Sequence, residues 1–143
     1  MSDALVNRTH QALLNSLFGK TSNFGALASR PTLYVGLSTT TPTMAGANVT
    51  EPSGNNYARV ATAASDWNAA TSADPSVVDN ANAITFPQAS GSWGTCTHAV
   101  IFDASSGGNV IGIAALAVAK TPTANDTPVL NAGFISVTLG AAA

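Results

Sequence analysis

From Thr32 to Leu139 the apolar residues come in short segments separated by stretches rich in Gly, Pro, Asn, Asp, Ser and Thr. The segments are TLYVGLS (32–38), YARVA (57–61), AITF (83–86), TCTHAVIF (95–102), VIGIAALAV (110–118) and FISVTL (134–139). Runs this short, several of them alternating apolar with polar, are strands, because side chains on a strand point to opposite faces in turn. Leu33, Val35 and Leu37 share one face of the first segment and are predicted to point into a core. Pro31 restricts Arg30 to an extended conformation ahead of it, and Pro87 ends the AITF segment. The turn-rich DASSGGN (103–109) joins TCTHAVIF to VIGIAALAV, which predicts a hairpin at the centre of a sheet. Its second arm is apolar on both faces and is expected to be covered on both sides. Thr39–Asn56 has few large apolar residues and reads as a long loop available for partner contact.

One segment has a different period. Ser2 is a good N-cap, Asp3 suits the positive end of a helix, and Val6, His10, Leu13 and Leu17 recur at helical spacing with Leu14 and Phe18 beside them. An amphipathic helix is predicted over 3–18, stopped by Gly19. The expected organisation is a helix and connector forming an arm over residues 1–30, and a domain over 31–143. The expected fold is mainly β, an antiparallel β-sandwich of immunoglobulin-like or jelly-roll wiring, with one N-terminal helix.

Charged residues make up 8% of the 143 residues, against about 25% in an average soluble protein. A surface this neutral predicts an obligate assembly in which much of it is covered. The net charge is -2, and the basic residues Arg8, Lys20, Arg30, Arg59 and Lys120 are scattered. Nucleic-acid binding draws its affinity from clustered Lys and Arg, so no nucleic-acid partner is expected. No apolar run approaches the ~20 residues of a membrane-spanning helix, and no signal peptide is apparent, so no membrane partner is expected and assembly in a cytosol is. The single cysteine, Cys96, excludes an internal disulfide.

The one arrangement that invites a catalytic reading is Cys96 as nucleophile, His98 as base and Asp103 as orienter. On a strand, Cys96 and His98 lie side by side with backbones ~6.6 Å apart, and Asp103 has the opposite parity. Their face also carries Val100 and Phe102, so a buried cysteine with a hydrogen-bonded histidine is the favoured reading. The pair falls short of the four ligands of a structural zinc, with His10 away on the helix, and the acidic residues lack calcium-loop spacing. SGSWG (90–94) and SSGGN (105–109) lack the features of a phosphate loop. No catalytic residue, metal site or cofactor is therefore expected. Asn48 has glycosylation spacing without a secretory signal to use it. Tyr34, Tyr57, Trp67 and Trp93 could form a sugar-binding platform, although anchoring a core or interface is favoured.

Several longer stretches carry a resemblance. TLYVGLSTTTPT, EPSGNNYARV, AITFPQASGSWGTCTHAVIFDASSGGNVIGIAAL and KTPTANDTPVLNAGFISVTL, spanning most of 32–139, resemble small tailed-bacteriophage virion proteins known as tail fibre proteins. The most specific pieces are Leu33–Ser38, the Gly-x-x-Tyr-Ala-Arg segment at Tyr57, Ser92-Trp93-Gly94-Thr95, and Phe102-Asp103-Ala104. Cys96 and Ala99 stand where Val and a larger apolar residue are expected. The resemblance implies a structural component of a phage particle with no catalytic residues. The absence of a fibrous repeat favours a capsid decoration, or cement, protein, expected to be a homotrimer contacting the major capsid protein at the head surface. The alternatives are a tail-associated fibre or adaptor protein and a host-surface carbohydrate-binding module.

Overall fold

The computed structural model describes residues 13–20 and 32–139. The fold is mainly β, with antiparallel sheets of the kind found in a β-sandwich. The strands are β1 (Leu33–Ser38), β2 (Val60–Thr62), β3 (Ser76–Asp79), β4 (Ile84–Thr85), β5 (Cys96–Phe102), β6 (Val110–Lys120), β7 (Val129–Leu130) and β8 (Ser136–Leu139). The chain gathers into two compact units, one containing 63–82 and 132–143 together with the N-terminal segment, the other containing 32–62 and 83–131.

The second unit holds a four-stranded sheet of order β2-β1-β5-β6. Leu33, Val35 and Leu37 are fully buried, as the alternation predicts, each stabilising the fold by about 1.5–3 kcal/mol relative to exposure. The β5–β6 hairpin forms across the turn over 103–109. Its place in the sheet corrects the expectation. β6 is an edge strand, and of its residues only Leu116 is buried, so an apolar sequence on both faces does not here mean cover on both. The register against β5 slips between Cys96 and His98, leaving Leu116–Ala119 without partners in register. A short ribbon, β4 with β7, is lengthened by backbone bonds from Phe86 N–H to the Pro128 carbonyl and from Ala89 N–H to that of Asp126.

In the first unit β3 pairs with β8, and on its other side the segment after Trp67 runs alongside it through Asn68 N–H to Asp79 O and Thr71 N–H to Val77 O. β3 and β7 lie in stretches whose turn-forming residues mask them in the sequence. Buried Asn80 joins these pieces. Its Oδ1 accepts from Ile135 N–H at 2.8 Å and its Nδ2 donates to Asn82 O at 2.8 Å. Residues 13–17 are helical. Lys20 N–H donates to Asn15 O, Gly19 N–H to Ser16 O, and Gly19 has φ +71. This is a Schellman cap, which needs a left-handed residue at the position Gly19 fills, and it explains why the helix stops there. Phe18 meets Trp67 edge-on at 4.4 Å between ring centres, and Asn15 Oδ1 accepts from Ala70 N–H. The last turn of the helix therefore packs within its own unit. Residues 3–12 of the predicted helix lie outside the described residues.

Candidate functional site

A dense polar arrangement in the second unit is centred on Arg59, which the sequence offers as one of five scattered cations and as the last residue of the Gly-x-x-Tyr-Ala-Arg segment. YARVA, expected as strand from Tyr57, is strand only from Val60. Tyr57 and Arg59 instead use their side chains. Arg59 Nε and Nη2 donate to the two oxygens of Glu51 at 2.9 and 2.7 Å, a bidentate ion pair. Its Nη1 donates to the carbonyls of Ala104 and Gly107 at 2.7 and 2.8 Å. The guanidinium lies 3.3 Å above the centre of the Phe102 ring, a cation–π contact. The Arg59 side chain is 6% exposed and that of Glu51 24%.

Tyr57 completes the cluster. Its hydroxyl donates to Glu51 Oε1 at 2.7 Å and accepts from Leu37 N–H at 2.9 Å. The β1–β2 ladder ends at Val35, so Leu37 N–H has lost its strand partner on that side and the phenol supplies an acceptor. Burial raises the Tyr57 pKa, and the Glu51 carboxylate it donates to raises it further. For Glu51, burial also acts upward, but the hydrogen bonds from Arg59 and Tyr57 and the Arg59 charge outweigh it, leaving a lowered pKa.

Gly36 explains how these groups approach β1. A Cβ there would lie 2.8 Å from both Glu51 Oε1 and the Tyr57 hydroxyl, and 3.0 Å from the Phe102 ring. A glycine inside a strand signals such a close approach and is a physical clue to the cluster in the sequence.

A second joint lies alongside. Trp93 packs edge-on against Tyr57 at 5.2 Å and near Phe86 at 6.3 Å, and its indole N–H donates to Asn55 O at 2.8 Å. Asn55 Nδ2 donates to Ser92 O, and Asn56 Nδ2 to Gln88 O. The loop over 39–56 is folded back on itself rather than open: Thr39 N–H donates to Thr50 O, Thr40 Oγ1 to Asn48 O and Asn48 Nδ2 to Thr41 O. Its tip carries Met44, 93% exposed.

The residues of the catalytic reading are engaged separately. Cys96 is fully buried, and burial pushes its thiol up to about 11. His98 Nδ1 is 2.8 Å from the Thr97 hydroxyl. Asp103 accepts from Asn109 N–H and Nδ2, which lowers its pKa and closes the hairpin turn. Trp67 and Trp93 are buried, so neither offers a face to a sugar ring, and the outward platform is not formed. Among the described residues no group of three His, Cys, Asp or Glu side chains could hold a metal ion, and no helix is long and apolar enough to cross a membrane. A groove of about 290 Å³ beside Lys120, Pro122, Asp126 and Pro128 is open, and the Asp126 carboxylate in it already accepts from Thr123 N–H and Oγ1.

The specific pieces of the phage resemblance thus meet in space. Gly36 of LYVGLS, Tyr57 and Arg59 of YAR, Trp93 of SWGT, and Phe102 and Ala104 of FDA touch one another directly or through Glu51. What they build is a fully engaged fastening of two loops to a sheet. No curated protein matches the chain in sequence. A family model described as podophage GP4 fiber I protein gp80 matches residues 4–138. That match covers nearly the whole chain, and the protein belongs to this family of phage virion fibre proteins.

Proposed function

We propose that the protein is a tail-associated structural component of the virion, a small rigid module of the fibre apparatus that works by holding loops and strand edges in fixed positions. The observation that carries this reading is the family match over residues 4–138. The geometry supports it: Glu51, Tyr57, Arg59 and Trp93 are spent on internal bonds, while among the described residues the loop tip at Met44 and Val118 of β6 stand exposed. Catalysis has no part in it.

A second reading, decoration of the capsid by contact with the major capsid protein, is favoured by the short strands and by the lack of any fibrous repeat in the sequence. Locating the protein by cryo-electron microscopy of the particle separates the two. Density at the tail, in copies following the rotational symmetry of the tail, is expected. Density spread over the head lattice would overturn the tail reading in favour of decoration.

A further inference from the structure

The four-stranded sheet has two outer strands, β2 and β6, and the outer edge of each has no strand neighbour among the described residues. Such an edge displays N–H and C=O groups on which another chain can add a strand, and proteins blunt it with charge, proline, shortness or a bulge. β2 is three residues long and offers little. β6 is 11 residues long, and from Val110 to Ala119 its sequence, VIGIAALAVA, holds no charge and no proline. That is the composition of a segment prone to pair with copies of itself. Of these protections only a bulge is left to it.

The ladder with β5 supplies it twice. β5 has seven residues to the 11 of β6, and the excess is taken up at two slips. Ile101 pairs with Gly112 and Phe102 with Val110, so Ile111 is extra, and the glycine beside it is a common mark of a bulge. His98 pairs with Ala115 and Cys96 with Lys120, so Thr97 alone stands opposite Leu116–Ala119. Contact between the two chain segments continues beyond this point: the Thr95 and Thr121 hydroxyls are 3.1 Å apart, and Trp93 N–H donates to the Pro122 carbonyl at 3.0 Å. The excursion is therefore held at both ends and is not a frayed strand end. Within it Leu116 is buried, while Ala117, Val118 and Ala119 are exposed. A bulge bends its strand and increases the local twist. The part of β6 in continuous register is Gly112–Ala115, about 13 Å long, and an incoming strand finds only that much of the edge in line.

We infer that the two slips of β6 are a device that stops the sheet from growing, by preventing the β6 strand of a second copy from adding to this one. Removing Ala117, Val118 and Ala119 would set Thr97 opposite Leu116 and Cys96 opposite Lys120 in one unbroken run with His98 and Ala115, with every other pair kept. The ladder does not need these three residues and would be more regular without them. What they contribute is the break.

Deleting Ala117–Ala119 from the full chain tests this. The variant is expected to keep the circular-dichroism spectrum of the fold and to self-associate in sedimentation with a constant at least about tenfold above that of the wild type. Adding Ala115→Lys, at an exposed position of the mended strand, is expected to reverse that association, because charge on an edge blocks strand addition. Deleting Ile111 alone mends the other slip and is expected to act in the same direction to a smaller extent; it carries the test where the longer deletion does not fold. A folded deletion variant that sediments as the wild type does, association that Ala115→Lys leaves untouched, or a wild-type assembly that Ala115→Lys by itself dissolves would overturn the inference.

Discussion

Replacing Arg59 by Met keeps an apolar stem over Phe102 and removes every polar contact of the guanidinium. Glu51 is left with Tyr57 alone, and the carbonyls of Ala104 and Gly107 lose their donor. Removing one partner of a buried ion pair typically costs about 3–5 kcal/mol. Glu51 is 24% exposed and Gly107 lies at the surface, so water relieves part of the loss. The expected cost is therefore near the lower end, about 3 kcal/mol, out of a total stability of roughly 5–15 kcal/mol. With a urea slope of about 2 kcal/mol per molar, the midpoint falls by roughly 1.5 M. Arg59→Lys recovers only part of the loss, since an ammonium cannot bridge two carboxylate oxygens and two carbonyls in one plane. A midpoint shift corresponding to less than about 1 kcal/mol would refute the reasoning, because that is the size of a solvated surface pair.

The same pair predicts a pH dependence. The folded pKa of Glu51 is lowered from 4.5, so the unfolded chain binds the proton more tightly. The stabilisation is complete above the unfolded value and is lost as pH falls through the folded one. Glu51→Gln is expected to be less stable than wild type at neutral pH and to show a shallower loss of stability below pH 4.5. An acid limb unchanged by Glu51→Gln would show that the carboxylate is not held by Arg59 in solution.

Three other perturbations probe the joints. Gly36→Ala forces Glu51, Tyr57 and Phe102 away from β1 and is expected to cost about 1–3 kcal/mol of thermal stability; an unchanged melting temperature would show that the cluster has room to spare. Cys96, buried and with its thiol raised to about 11, is expected to react with a thiol reagent only at the rate of unfolding, and rapid native-state labelling would contradict its burial. Asn80→Ala strips the acceptor from buried Ile135 N–H and is expected to destabilise by about 1–3 kcal/mol, read by hydrogen exchange at Ile135 as well as by denaturation.

Much of the strand inventory is legible because period-two alternation survives wherever one face is buried, as in Leu33, Val35 and Leu37. It fails for β3 and β7, which are short and lie among Asp, Pro and Asn, and where pairing is decided by distant partners, Ser136–Leu139 and Ile84–Thr85. It misleads for β6, since a run of Ile, Ala and Val reads the same in the interior of a sheet as at its edge. The Arg59 cluster is illegible for a different reason. Its members come from positions 36, 51, 57, 59, 102 and 104, and no local spacing brings them together; the glycine within β1 hints at a close approach, and the pieces of the family resemblance contain all of them without saying that they meet. Cys96, His98 and Asp103 attract notice because they are close in sequence, yet Cys96 is buried, His98 meets the neighbouring Thr97 hydroxyl and Asp103 closes the turn with Asn109.

The buried ion pair poses a question that stability does not answer, because an apolar replacement of similar volume often serves a core as well or better. In a chain with only 12 charged residues, five basic and seven acidic, the use of two at one joint points to a task apolar side chains cannot perform. That task is donation to backbone carbonyls in a turn. Arg59 holds Ala104 and Gly107, Asp103 holds Asn109, and the next residue begins β6. The cluster therefore fixes the end of the exposed edge strand relative to the sheet while its other arm, Glu51, fixes the base of the loop that carries Met44. Loosening Arg59 should then be felt first at these places: under conditions where Arg59→Met remains folded, faster hydrogen exchange over 103–111 is expected. Faster exchange spread evenly through β1 and β5 instead would mean that the joint serves the core alone.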